Sequence, residues 1–373
     1  MNNPIDTNQL DQLATRISEA GSILICTHIS PDSDAIGSAF GVASAILENL
    51  HLFKCNGQIK DKSITLYFEE PLPKRNLFNI DPQLLDKVKI IHEIANHKFD
   101  LLIATDNATL PRLGSEHEAI IKSSNFTLQI DHHISNSLYC DLNIIYADRS
   151  STSQLIYELF NSKIFVETLS SKSNNTANSI SISSGTASLL FMGIFEDTGG
   201  FKFSNTTTET FEVASKLVQL GASPAKISSG LYQNEPLNLI KLKTEVMSSL
   251  KISSNNLVGS LILTKDQLLN YNINPDQTGG FIDEIRCIEG LKAVFLMREK
   301  VSPLSSSQNH SDSSEWKVSL RSKDERLDVN KIAGTYGGGG HKMAAGCTIQ
   351  GQKDVIRADL ENLISEELKL INL

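Results

Sequence analysis

In the N-terminal third of this chain, three short apolar runs each end on a side chain able to bind a metal ion. Ser22–Thr27 runs into His28, Leu101–Thr105 into Asp106, and Thr127–Ile130 into Asp131-His132-His133. Apolar runs of this length, separated by amphipathic stretches, predict a parallel β-sheet with flanking helices. Ile64–Phe68 and Asn143–Tyr146 complete the expected strands. In an open α/β sheet the ligand crevice lies beyond the carboxyl ends of the strands, so these separated residues are expected to converge there. One pattern therefore constrains both the fold class and the location of a site.

Two further acidic positions extend the set. In His28-Ile29-Ser30-Pro31-Asp32-Ser33-Asp34, Pro31 stiffens a turn while Asp32 and Asp34 alternate about it, and Asp34 opens a helix over Asp34–Leu50. The apolar residues Ile36, Phe40, Ala43, Ile46, Leu47 and Leu50 give that helix its three- and four-residue spacing. A helix near Ala187–Phe195 leads to Asp197-Thr198-Gly199-Gly200-Phe201, where paired glycines permit a tight turn. Each aspartate has an ordinary alternative as an Asx turn or helix cap. Asp106 could equally cap the loop after its strand, and an adjacent His pair can be a surface accident. Taken together, His28, Asp32, Asp34, Asp106, His132 and Asp197 exceed what one four- to six-coordinate ion can use. Two ions about 3.5–4 Å apart would use them all and suit phosphoester hydrolysis. Carboxylate and imidazole donors suit Mn²⁺, Fe²⁺ or Zn²⁺. Adjacent histidines at a strand end point different ways, so His132 can bind metal while His133 faces substrate, with Asp131 orienting an imidazole.

The 373 residues suggest two domains, with a boundary expected near 250, where Ser253-Ser254-Asn255-Asn256 resembles a linker. Helices are expected near Thr208–Leu220, Pro224–Leu231 and Leu237–Leu250. Beyond them, strands near Leu257–Leu263, Lys292–Arg298 and Trp316–Arg321 and a helix near Asp354–Leu370 predict a smaller mixed α/β domain. Two polar tracts, Ser170–Ser184 and Ser302–Ser314, read as exposed insertions. A net charge of −9, from 34 basic and 43 acidic residues, argues against broad affinity for long nucleic acid and leaves a small phosphorylated substrate open. The five scattered cysteines, without any Cys-x-x-Cys, read as reduced thiols. With no basic-then-apolar start and no apolar run long enough to span a bilayer, the expectation is a cytoplasmic protein without membrane association.

The second chemical signal is Gly337-Gly338-Gly339-Gly340-His341-Lys342-Met343-Ala344-Ala345-Gly346. Glycines leave backbone N–H groups able to approach a phosphate, and the Ala-rich stretch after His341 is expected to start a helix whose N-terminus favours anions. Upstream, Arg321 and Lys323 are expected on one side of a strand end, the former binding phosphate bidentately and the latter as a point charge. A solvated strand end is the plain alternative.

These motifs, in this order and covering nearly the whole chain outside the two Ser-rich tracts, resemble the DHH phosphoesterase superfamily. The Gly337–Gly346 segment resembles its DHH-associated C-terminal domain. The spacing is most similar to the bacterial bifunctional oligoribonuclease and 3′-phosphoadenosine-5′-phosphate (pAp) phosphatase group, the nanoRNases. The resemblance implies an α/β fold with an N-terminal parallel-sheet catalytic domain and a smaller mixed α/β substrate-binding domain. It implies that His28, Asp32 and Asp106 hold one Mn²⁺, and Asp34, Asp106 and His132 the other. Asp106 would bridge, and Asp197 would complete the site. Mg²⁺ or Co²⁺ could take the place of Mn²⁺. His133, with Asp131 beside it, would face the scissile phosphate. Arg321, Lys323, Gly338, Gly339, Gly340 and His341 would hold the distal phosphate or terminal nucleotide. The implied reaction is in-line attack by a hydroxide bridging both ions, releasing 5′-mononucleotides from very short RNA and converting pAp to AMP. Cyclic dinucleotides or their linear products pApA and pGpG are the alternative substrates, and an inactive nucleotide-binding sensor the non-enzymatic one. The partners expected are these small substrates, with a homodimer compatible.

Overall fold

In a computed structural model of the chain, residues 3–55, 58–59, 61–94, 97–173, 179–300 and 314–371 are described. Strand β1 (Ser22–Cys26) precedes a separate hairpin, β2 (Lys54–Cys55) with β3 (Gln58–Ile59). It is followed by β4 (Ser63–Tyr67), β5 (Lys89–Ile91), β6 (Phe99–Thr105), β7 (Ser124–Asp131) and β8 (Leu142–Ile145). The hairpin aside, these strands form one sheet in the order β5-β4-β1-β6-β7-β8, parallel throughout. All five predicted strands are present. The unpredicted β5 is a three-residue edge strand, too short to leave a period in the sequence.

The chain builds outward from β1 through β4 to β5, then crosses back to β6 and builds the other way. Between β1 and β6 the sheet has its topological switch point, where the crevice beyond the strand ends opens. His28 follows β1 and Asp106 follows β6, so the two residues flank that opening. Burial on both faces explains the continuous apolar runs. Ile23 and Ile25 join one core with the helices Thr7–Glu19, Ser33–Glu48, Thr152–Phe160 and Ser184–Asp197, while Leu24 and Cys26 join a second core on the other face with Leu113 and Ile120.

The helices Ser33–Glu48 and Ser184–Asp197 pack most closely through small residues. A Cβ at Gly37 would lie 2.5 Å from the Leu189 carbonyl oxygen, and one at Gly41 would overlap the Leu190 side chain. Only glycine lets the two backbones approach this far.

Two compact units divide the chain, Met1–Asn234 and Glu235–Leu373. The division falls earlier than the boundary expected near 250. Helix Leu237–Met247 supplies Leu239, Leu242 and Val246 to a core shared with Leu261, Leu263 and Val294 of the second sheet, which draws it into the second unit. That sheet contains β9 (Lys251–Ile252), β10 (Val258–Leu263), β11 (Ala293–Glu299), β12 (Ser314–Ser322), β13 (Gly339–His341) and β14 (Ala344–Gly351), in the order β13-β14-β12-β11-β10-β9. Only β10 and β11 pair in parallel. The expected α/β fold class, a parallel sheet followed by a mixed one, is what the structure shows.

Two expectations need correction. The Ala-rich stretch after His341 is a strand, β14, and not a helix. Its residues pair with β12 on one side and β13 on the other, and two ladders outweigh the helix propensity of Ala344-Ala345. The Ser170–Ser184 tract is not uniformly exposed. Helix Lys163–Ser173 covers its start, and Ile180 and Ile182 are buried in the first core, while 174–178 lie outside the described residues. Of the Ser302–Ser314 tract, all but Ser314 lies outside them too.

Candidate metal centre

Each acidic or imidazole donor in the first unit is held in place by a local structural feature. Asp32 is the N-cap of helix Ser33–Glu48, its Oδ1 accepting from the Asp34 and Ala35 N–H groups at 3.0 Å, so the cap reading of this residue is correct. Its Oδ2 nevertheless turns back to His28, 3.8 Å from Nε2. One carboxylate thus serves as cap and donor at once.

His28 is buried, and its Nδ1 lies 2.8 Å from the Ile29 carbonyl oxygen. A carbonyl can only accept, so Nδ1 carries a proton and Nε2 is the atom turned to Asp32 and to Asp106 Oδ2, 3.6 Å away, where a bound cation would take its lone pair. His132 is arranged alike. Its Nδ1 faces the Arg149 carbonyl at 3.4 Å, while Nε2 lies 3.2 Å from Asp197 Oδ2 and 3.6 Å from Asp106 Oδ1.

Asp106 lies between the two histidines, with Oδ2 facing His28 and Oδ1 facing His132. Its backbone occupies the left-handed region at φ 52°, which Asp tolerates better than most residues, and its N–H donates to the Ile130 carbonyl at 3.0 Å. Thr152 Oγ1 donates to Oδ1 at 3.1 Å.

Asp34 is fully buried and sits against the N-terminus of helix Thr152–Phe160. The Thr152 N–H donates to Oδ2 at 2.7 Å and the Ser153 N–H to Oδ1 at 2.9 Å. A Cβ at Gly193 would overlap both Asp34 Oδ1 and Ser153 Oγ, so the glycine makes room for the carboxylate. Asp197 ends helix Ser184–Asp197, and Gly199, Gly200 and Phe201 behind it all have positive φ, turning the chain away sharply.

Three donor groups result, each with ligand atoms within 4.8 Å of one another: His28 with Asp32 and Asp106, Asp34 with His132 and Asp197, and Asp106 with His132 and His133. All six residues read as metal ligands from sequence converge here. Burial pushes the Asp34 carboxyl well above its usual range, and the Asp106 and Asp197 charges add to this. Burial works against the His132 cation, yet Asp197, Asp106 and Asp34 overcome it and push its pKa up to about 10, so Nε2 holds a proton that a bound metal ion would displace. Burial likewise opposes the Asp106 anion, but the hydrogen bond from His28 and the charges of His132, His28 and His133 hold its carboxyl far below the ordinary value. Carboxylates crowded this closely need positive charge between them, and pre-set imidazole lone pairs complete a donor set that fits divalent cations.

Behind the donors, Asp131 is buried and accepts from Asn136 Nδ2 at Oδ2 and from His133 Nδ1 at Oδ1, both at 2.7 Å. Its contact with Nδ1 directs the His133 ring's Nε2 away from Asp131. The sequence reading overlooked Thr152, Ser153, the Arg149 carbonyl and Glu196, whose Oε2 accepts from the Ser33 N–H at 2.6 Å. The run Ser150-Ser151-Thr152-Ser153 after a strand is a helix-capping signal that could have found the first two.

In the second unit, Arg321 on β12, Ala344 on β14 and His341 on β13 stand opposite one another across three strands, with Ser319, Gly346 and Gly339 in the next row on the same face. Small residues thus separate a guanidinium from an imidazole. The glycine N–H groups are less available than expected. Those of Gly337, Gly338 and Gly340 donate to the Gly334 carbonyl, the Ala333 carbonyl and Asn330 Oδ1. Gly338 and Gly340 are instead required for close approach, since a Cβ at either would overlap β14. The Lys323 amine donates to the Ile288 carbonyl at 2.6 Å.

The chain matches the DHH family N-terminal domain over residues 22–194 and the DHHA1 domain over residues 256–366. The chain belongs to the DHH family. Among its relatives are proteins named bifunctional oligoribonuclease and PAP phosphatase NrnA. The Bacillus subtilis protein is 28% identical over 95% of this chain and 98% of its own length, and the Thermus thermophilus protein 27% identical over 89% and 85%. The fold matches the crystal structure of an exopolyphosphatase-related protein from Bacteroides fragilis with a TM-score of 0.80, at 21% identity, over 100% of this chain and 99% of that one. DHH phosphoesterases are divalent-metal-dependent phosphoric ester hydrolases, and this chain is one of them. Among the described residues, no helix is long and apolar enough to cross a membrane.

Proposed function

We propose that this chain hydrolyses very short oligoribonucleotides to 5′-mononucleotides and converts pAp to AMP, using two divalent cations, Mn²⁺ foremost. The single observation carrying the two-cation reading is Asp106, whose two oxygens face two different donor groups. The substrate class is supported by relatives named as oligoribonuclease and PAP phosphatase across nearly their whole length.

His28, Asp32 and Asp106 would hold one cation, and Asp34, His132 and Asp197, with Asp106 shared, the other. When bound, the pair would neutralise phosphate charge and acidify water to supply a nucleophile near neutral pH. His133 then hydrogen-bonds the phosphoryl oxygen or protonates the leaving oxygen through Nε2, since Asp131 occupies Nδ1. Asp131 is a positioning residue. In the second unit, Arg321 and His341 bind the distal phosphate or the terminal nucleotide with their side chains, over the floor of Ala344 and Gly346.

His133→Ala is expected to lower kcat by about 10²–10⁴-fold. Asp131→Asn, which leaves one oxygen for both the His133 ring and the Asn136 amide and so disturbs the ring's orientation and tautomer, should cost about 10–100-fold and shift the pH profile of kcat. A His133→Ala enzyme within threefold of wild type would remove that residue from the mechanism. The deciding experiment is a panel of pApA, a longer oligoribonucleotide, pAp, pGpG and cyclic di-AMP, assayed with Mn²⁺, Mg²⁺ and Co²⁺ and with chelator. Mononucleotide release from the diribonucleotide and phosphate release from pAp are expected, both abolished by chelator. Failure on both substrates refutes the proposal.

A further inference from the structure

The first unit places a solvent-facing cation beside the metal centre, on an element that no motif marks. Arg75 lies on the short helix Lys74–Leu77, which follows β4 at the carboxyl end of the sheet. Its Nη2 donates to Glu196 Oε1 at 2.9 Å, and the other oxygen of Glu196 accepts from the Ser33 N–H at 2.6 Å. Glu196 immediately precedes Asp197, and Ser33 stands between Asp32 and Asp34, so one carboxylate separates the guanidinium from three candidate ligands.

The segment carrying Arg75 is firmly anchored. Asn76 is fully buried and donates to Ser33 Oγ at 2.7 Å, Asn79 donates to the Ser188 carbonyl at 2.8 Å, and the Phe78 ring fills the space over Gly230. These contacts tie it to both metal-bearing helices and to helix Pro224–Tyr232. Arg75 itself remains 54% exposed along its side chain, with Glu196 as its one hydrogen-bond acceptor among the described residues. Of five guanidinium N–H donors, one is thereby used. Arg149, also close to the centre, is buried and already clamped by Asp148 and Glu158.

Beyond the bound cations, the carboxylates and imidazoles of this centre offer a substrate phosphate His133 alone. A pinned, half-exposed guanidinium with open donors supplies a second contact, since its planar fork matches phosphate oxygens. We propose that Arg75 is a substrate-contacting residue that hydrogen-bonds a non-bridging oxygen of the phosphate being cleaved, with Glu196 holding it in position. The proposal rests on the phosphoesterase reading of the centre but not on the choice of nucleotide.

The test uses full-length Mn²⁺-loaded protein with Arg75→Ala, Arg75→Lys and Glu196→Gln. Bis(p-nitrophenyl) phosphate serves as a minimal diester beside pApA and pAp, so that a wrong nucleotide assignment does not obscure the result. Arg75→Ala should lower kcat/KM by about 10–100-fold on every substrate the wild type cleaves, the scale of a lost charge-assisted hydrogen bond. Mn²⁺ affinity, measured by calorimetry, should stay within twofold, and added guanidinium should restore part of the activity. Arg75→Lys should recover less than guanidinium rescue does, because a point charge cannot form the fork. Glu196→Gln keeps the guanidinium and should lose less than Arg75→Ala. Unchanged kcat/KM in Arg75→Ala would overturn the proposal. So would a loss that tracks weakened Mn²⁺ binding without guanidinium rescue, since Arg75 would then act only by bracing Glu196. A wild type inactive on both nucleotides yet active on the diester would refute the nucleotide reading and leave the Arg75 test intact.

Discussion

Asp106→Asn is expected to lower turnover by roughly 10³-fold or more and to reduce the bound cations from two to at most one, because one substitution removes an anion from two donor groups. Asparagine is the informative replacement. It tolerates the left-handed backbone at φ 52°, where alanine would add strain, and its side-chain oxygen can still accept from Thr152 Oγ1. The fold should therefore persist, with a melting temperature near that of the wild type. Turnover on pApA and pAp and Mn²⁺ stoichiometry by calorimetry provide the readout. Two cations and near wild-type turnover in the mutant would refute the shared-carboxylate assignment.

Gly193→Ala should have the second-largest effect, although Gly193 has no chemistry of its own. An added methyl meets Asp34 Oδ1 and both Ser153 Oγ and Cβ, each closer than 3.0 Å. Asp34 cannot yield easily, since backbone N–H groups from Thr152 and Ser153 grip both its oxygens. Overpacking of this kind costs about 1–3 kcal/mol, to be read as a lower denaturant midpoint. Displacing a donor by about 1 Å can cost on the order of 10²-fold in kcat. Gly41→Ala is the control. It meets only the flexible Leu190 side chain, away from the donors, and should lose some stability while keeping turnover. Full activity in Gly193→Ala would mean that the Asp34 position is not set by this contact.

Much of the centre was legible in the sequence because a parallel sheet gathers its strand ends on one edge. Once apolar runs ended at His28, Asp106 and Asp131, convergence followed from topology. Asp32 shows the limit of motif reading, since cap and donor looked like competing roles and the residue fills both through different oxygens. The glycine run shows another. Its composition suggested open N–H groups and a following helix, whereas pairing of Ala344–Gly351 with β12 made that stretch a strand, and Gly334, Ala333 and Asn330 accept from three of the glycine N–H groups.

Of the residues contributing through backbone atoms, Thr152 and Ser153 left only a capping signal that marks a helix start and not its partner, because Asp34 lies far away along the chain. The Arg149 carbonyl carries no side-chain signature at all. Glu196 and Arg75 were hidden because ordinary surface charges look the same in sequence. The order of apolar runs and their terminal donors determined the sheet, the site's edge and the chemistry, because local pattern alone fixes the strands and the residues at their carboxyl ends. Which oxygen faces which donor group, which imidazole nitrogen is open and which glycine makes room for Asp34 depend on distances between elements, and only tertiary packing decided those.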